Sequence, residues 1–95
     1  MTYRVEFTTA AAREIHKLPR RVRDRLLDAI EDLVDDPRPH GAKKLVGEKT
    51  AWRIRVGDHR VIYDVFDDAL TVTIVRAAHR REAHSVFNVK ARPVP

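Results

Sequence analysis

Apolar and basic side chains alternate from Ala51 to Phe66, and the alternation is mirrored about Gly57-Asp58. A mirrored two-residue period predicts a β-hairpin with a two-residue loop. Glycine at the first loop position suits a type II′ turn, because a positive φ costs it nothing. In that register Trp52 faces Tyr63 and Ile54 faces Val61, with Val56 on the same side, so one face is apolar. The opposite face carries Arg53 and Arg55, with Arg60 directly across from Arg55. Like charges across a ladder cost on the order of a few tenths of a kcal/mol, so a purely structural sheet gains nothing from them.

The period continues beyond Asp67-Asp68, a pair able to turn the chain, into a further strand from Leu70 to Ala77. Aligning the apolar columns sets Val65 against Leu70, Tyr63 against Val72 and Val61 against Ile74. Thr71, Thr73 and Val75 then fall on the basic face, a small-residue floor that a polyanion could approach closely. Earlier in the chain, Tyr3 to Phe7 alternates as a half-buried strand, with Tyr3, Val5 and Phe7 on one side. Thr8 and Thr9 are suited to cap a helix beginning at Ala10, with Ala11, Ile15 and Leu18 on its inner face. Leu18-Pro19 ends it, and Pro19 opens a second helix striped by Val22, Leu26, Ile30 and Leu33 and widened by Leu27, Ala29 and Val34. Pro37 and Pro39 close that helix. The short break between them predicts an αα-hairpin whose apolar side covers the apolar face of the sheet.

Pro37 to Gly41 is a turn-rich connection to Lys43-Lys44-Leu45-Val46-Gly47, a short edge piece. Residues 79 to 88 suit a short terminal helix, and 89–95, with two prolines, a mobile tail. The fold expected is α+β: an N-terminal strand, a two-helix hairpin on an antiparallel sheet of about four strands, and a short C-terminal helix, in one domain spanning 1–95.

Composition narrows the function. The chain has 95 residues and a formal charge of +5, from 19 Lys+Arg against 14 Asp+Glu. Most of the cations are arginine, the residue suited to bidentate phosphate contacts, which makes nucleic acid the first partner to consider. The second helix reverses the charge order its dipole favours, with Arg20, Arg21, Arg23 and Arg25 at its start and Glu31, Asp32, Asp35 and Asp36 at its end. Those arginines either contact phosphates or form a solvated face with Arg20–Asp24 and Arg25–Asp28 pairs. No cysteine is present, which excludes disulfide, thiol and thiolate–zinc chemistry. Asp58 and Asp67-Asp68 fall in turns and Asp64 stands alone on its strand, so no clustered carboxylates suggest a metal. The N-terminus has no apolar leader and no run reaches membrane-spanning length, so a cytoplasmic protein without a membrane partner is expected.

Four stretches in this order resemble the RelE/ParE family of bacterial toxin–antitoxin toxins. They are Arg-Glu-Ile-His-Lys-Leu-Pro at 13–19, Lys-Lys-Leu at 43–45, Trp-Arg-Ile-Arg-Val-Gly-Asp-His-Arg-Val-Ile-Tyr at 52–63 and His-Arg-Arg-Glu at 79–82. The resemblance runs from Tyr3 to about Phe87. It implies a RelE-like fold, no cofactor, and a cognate antitoxin that holds the toxin inactive in a toxin–antitoxin hetero-oligomer. RelE-type members enter the ribosomal A site and cut mRNA there; ParE-type members inhibit DNA gyrase. Carried over, the catalytic basic residues are Arg53, Arg55 and Arg60, with Arg81 near the end, or Arg80 if the gap falls differently. The tyrosine that RelE-type enzymes use there has no counterpart: His84 stands where many relatives have it, and Phe87 where others do.

Metal-free cleavage has the ribose 2′-hydroxyl attack phosphorus, which requires a base, stabilisation of the equatorial charge and help for the leaving 5′-oxygen. Guanidinium stays protonated, so Arg53, Arg55 and Arg60 suit charge stabilisation rather than proton transfer. His84 and His79 are the imidazoles near the basic strand ends, and His84 is the candidate base; the alternative for both is an ordinary surface histidine. Lys43, Lys44, Arg20, Arg21, Arg23 and Arg80 are the further candidates for RNA contact. His16 and His40 read as bystanders, and Trp52 and Tyr63 as core rather than base-stacking platforms. A non-enzymatic gyrase inhibitor and a non-toxic nucleic-acid-binding module stay open beside the ribonuclease.

Overall fold

The computed structural model describes residues 2–79. In chain order these form β1 (Arg4–Phe7), α1 (Thr9–His16), α2 (Arg20–Asp32), β2 (Lys43–Lys44), β3 (Ala51–Val56), β4 (His59–Phe66) and β5 (Thr71–His79). The five strands make one sheet in the order β1-β5-β4-β3-β2. The sheet is mixed rather than purely antiparallel, because β1 runs parallel to β5, Val5 lying beside Val72 and Phe7 beside Ile74.

The hairpin forms in the expected register, with Trp52 opposite Tyr63, Ile54 opposite Val61 and Arg55 opposite Arg60. Gly57 turns it at φ 61, and Asp58 keeps a negative φ, which fits type II′. The strand after it is displaced. Tyr63 faces Ile74 and Val65 faces Val72, two residues from the expected partners. The loop therefore spans Asp67 to Leu70 rather than two aspartates, with Leu70 at φ 47 and its N–H donating to the Asp67 carbonyl at 3.2 Å. A shift of two preserves side-chain parity, so the apolar columns survive it. An irregularity at Ile62/Tyr63 then moves the register by one more, placing Val61 opposite Ala77 and His59 opposite His79.

Both helices lie on one face. Thr8 caps α1, its Oγ1 accepting from the Ala11 N–H at 3.1 Å and donating to the Val75 carbonyl at 2.8 Å, so the same hydroxyl ties the helix start to β5. Ala11, Ile15, Leu26, Ile30 and Leu33 pack on Ile54, Val61, Tyr63, Val65, Val72, Ile74 and Ala77. Each Leu, Ile and Val side chain among them contributes about 1.5–3 kcal/mol on burial. Two expected core residues stand outside it: Leu27 is 38% exposed on the far side of α2, and Phe7 is 42% exposed at the end of edge strand β1. Of the expected terminal helix, His79 is instead the last residue of β5; residues 80–88 and the tail at 89–95 lie outside the described residues.

Candidate nucleic-acid interface

The pleat sends Ile54, Val61 and Tyr63 toward the helices, so their ladder neighbours project from the opposite face. Arg53, Arg55 and Arg60 share that face, with Arg55 and Arg60 directly paired across the ladder. Arg55 is exposed, whereas Arg53 and Arg60 are half-buried. Lys43 pairs with Arg53 and extends the same basic column onto β2. Lys44 pairs with Trp52 and so belongs to the helix side, which separates two lysines the sequence grouped together.

The floor beneath these cations is more apolar than expected. Ile62, Val75 and Ala78 are buried outside the helix-side core, with Ile62 opposite Arg76 and Ala78 opposite Arg60. Thr73 lies opposite Asp64, and the Asp64 carboxylate accepts from the Thr50 hydroxyl at 2.9 Å. Among the described residues, no three His, Asp or Glu side chains gather as a metal site.

The arginines of α2 do not join this face, because α2 packs on the other side of the sheet. Arg20 pairs with Asp24 at 3.8 Å in a largely exposed contact, Arg21 is exposed and Arg23 is half-buried. Arg25 stays on the helix side as well but reaches farther along the sheet. Its guanidinium lies at the hairpin tip, 3.7–3.9 Å from where a Cβ on Gly57 would stand. Together with Val22, Arg55, Val56, Gly57, Asp58, His59 and His79 it lines a cleft of about 430 Å³. The His59 and His79 rings meet edge to face there, 5.4 Å between centroids. Arg25 carries no mark in the residue pattern that separates it from its neighbours on α2. His59 was findable, since the hairpin register alone puts it opposite Val56 on the helix side.

The other end of the sheet holds an anchoring network. Asp67 accepts from the Tyr3 hydroxyl and the Arg38 guanidinium, each at 2.7 Å, and these two bonds, Arg38 first, hold its carboxyl below the usual range. The Tyr3 phenol is correspondingly raised, mainly by its bond to Asp67. Arg38 also lies over the Trp52 ring at 5.6 Å, so this half-buried ring packs on the core with one side under a cation. Tyr63 is fully buried and donates to the Pro37 carbonyl at 2.7 Å. Burial pushes its phenol up to about 12. Arg80, Arg81 and His84 lie outside the described residues.

Comparison with known proteins places this arrangement. Residues 5–84 match the family described as the ParE toxin of the type II toxin–antitoxin system parDE. Toxin RelG of Mycobacterium tuberculosis is 36% identical over 88 residues, covering 88% of this chain and 98% of RelG. The mRNA interferase toxin RelE of Escherichia coli K12 is 28% identical, covering 93% of each chain. Among solved structures, a mutant of E. coli RelE in the free state superposes with a TM-score of 0.78 at 27% identity, over 92% of each chain. The toxin–antitoxin complex RelBE2 of M. tuberculosis gives 0.73 at 36% identity, covering 84% of this chain and all of that one. No helix among the described residues is long and apolar enough to cross a membrane. With a two-helix layer on one side of its sheet and paired arginines on the other, the chain belongs to the RelE/ParE family of type II toxin–antitoxin toxins.

Proposed function

We propose that this toxin is a metal-independent endoribonuclease that cuts mRNA in the ribosomal A site. The observation that carries the reading is the pairing of Arg55 with Arg60 across the ladder, on the face that also bears Arg53 and Lys43. Held together, these like charges cost stability and become favourable once a phosphate sits among them. The 2′-hydroxyl attacks phosphorus, a 2′,3′-cyclic phosphate forms and the 5′-oxygen leaves with a proton. Arg53, Arg55 and Arg60 neutralise the charge that builds on the equatorial oxygens. Arg81 assists at the leaving oxygen and His84 carries the proton in place of the family's tyrosine. The name mRNA interferase, borne by the E. coli relative, supports the same chemistry. The partner is a cognate antitoxin, in keeping with the toxin–antitoxin complexes among the structural neighbours. Its segment folds on the toxin and offers acidic and apolar side chains.

Purified toxin added to programmed ribosomes, with mRNA 5′ ends mapped, tests this directly. Arg60→Ala should fold normally and cut roughly 100- to 1,000-fold more slowly, as loss of one transition-state donor does. Arg60→Lys should be intermediate, keeping the charge without the bidentate fork. His84→Gln slows the reaction if His84 carries the proton. The family description names ParE, so gyrase inhibition is the second reading. Wild-type toxin that leaves mRNA intact but blocks DNA supercoiling by gyrase would replace the first with the second.

A further inference from the structure

The cleft at the hairpin tip lies on the helix side of the sheet, away from Arg53 and Arg60, and of its lining only Arg55 enters the proposed reaction. Its charged lining comes from every element that meets there: Arg25 from α2, Arg55 from β3, Asp58 from the turn, His59 from β4 and His79 from β5. Among the described residues no ion pair joins Arg25 or Arg55 to a carboxylate. Arg55 Nε donates to the Gly57 carbonyl at 3.0 Å. A guanidinium has five N–H donors, so that bond fixes the group in place without using it up. Two guanidiniums brought from separate elements to one concave site, with a single acid beside them, make a potential that favours an anion.

The geometry points to a second phosphate site: the cleft takes one phosphodiester of a single-stranded RNA whose neighbouring phosphates lie on the arginine face. The inference rests on the RNA-cleaving reading for its ligand. About 430 Å³ is within the size range of small-molecule sites and accommodates a nucleotide unit. Val22 and Val56 supply an apolar wall for the sugar or base, and Arg55 stands at the junction of the two faces. A strand passing round the hairpin tip thus meets Arg60 and Arg55 first and Arg25 next.

The test uses the whole chain with a short, fully 2′-O-methylated RNA, which lacks the attacking hydroxyl and stays intact. NMR follows the Gly57 amide and the His59 and His79 rings, and fluorescence anisotropy gives the affinity. All three probes should shift as the oligonucleotide is added. Arg25→Ala should weaken binding about tenfold, as loss of a charge-assisted hydrogen bond does. It should also lower the salt slope by about 0.7. Arg25→Gln, which removes the charge but keeps a polar side chain on α2, should weaken it similarly if the charge is what matters. Binding by Arg25→Ala and Arg25→Gln equal to the parent's overturns the site. So do shifts confined to the arginine face, or a cleft that takes inorganic phosphate but not the oligonucleotide. A toxin that cuts no mRNA on ribosomes yet passes these tests loses its proposed activity and keeps the site.

Discussion

Glu14 closes the one stretch where β5 outruns its neighbour. Strand β1 stops at Phe7, opposite Ile74, and beyond that point the β5 backbone needs other partners. The Glu14 carboxylate accepts from the Ala77 N–H at 3.0 Å and from Arg76 Nε and Nη2 at 2.9 and 2.8 Å. Bidentate, charge-assisted contacts to a backbone donor and an arginine are the stronger kind of hydrogen bond. Glu14→Gln should lower stability by about 1–3 kcal/mol, read as a shifted urea midpoint with an unchanged slope. Tyr63 makes a prediction in alkali. Its phenol is raised from 10.0 to about 12 by burial, so the neutral form is favoured in the folded state. The stabilisation is complete below the unfolded value and is lost as pH climbs from there through the folded one. Over that window Tyr63 should cost the protein on the order of 2–3 kcal/mol, and Tyr63→Phe should remove that part of the loss. At neutral pH the same variant should be less stable by about 1 kcal/mol, since the Pro37 carbonyl loses its donor.

At the scale of elements, the hairpin turn and α2 each trade stability for charge or geometry. Gly57 at φ 61 is the residue that permits the type II′ turn. A Cβ there would make only ordinary contact with Arg25, so Gly57→Ala should cost about 1–2 kcal/mol from the backbone alone, read by thermal denaturation. In α2 the first turn carries no acid and the N-cap, Pro19, makes no side-chain bond. Arg21→Glu should therefore raise stability by about 0.3–1 kcal/mol, by giving the dipole a complementary charge. The pattern of residues made the β3–β4 hairpin legible because Gly57 and strict alternation leave one register. It left β5 two residues out, because Asp67-Asp68 reads as a two-residue turn while Leu70 bears the left-handed conformation that a glycine would have announced. The arginine pair followed from the same alternation that gave the hairpin. The cleft did not, since it depends on where α2 lands relative to the hairpin tip, which no local period encodes.

Taken as a whole, the molecule separates its duties by face: helices and core on one side, Arg53, Arg55 and Arg60 on the other, with Arg25 reaching the hairpin tip from the helix side. Its antiparallel neighbours β3, β4 and β5 follow one another in the chain, and their pairing was accessible to inspection for that reason. The parallel docking of β1 on β5 was not, because nothing within Arg4–Phe7 specifies a partner that begins at Thr71. That pairing sets an order of events in synthesis. At about 5–20 residues per second, roughly 3–13 s separate the making of Phe7 from that of Thr71. Through that interval β1 has no strand to join and Thr8 lacks the Val75 carbonyl it will bond. A two-stranded hairpin alone is at best marginally stable in water. The arginines of β3 and β4 are thus made before the floor beneath them, from Thr73 to Ala78. A toxin proposed to attack ribosomes carries that surface unassembled until β5 has been made.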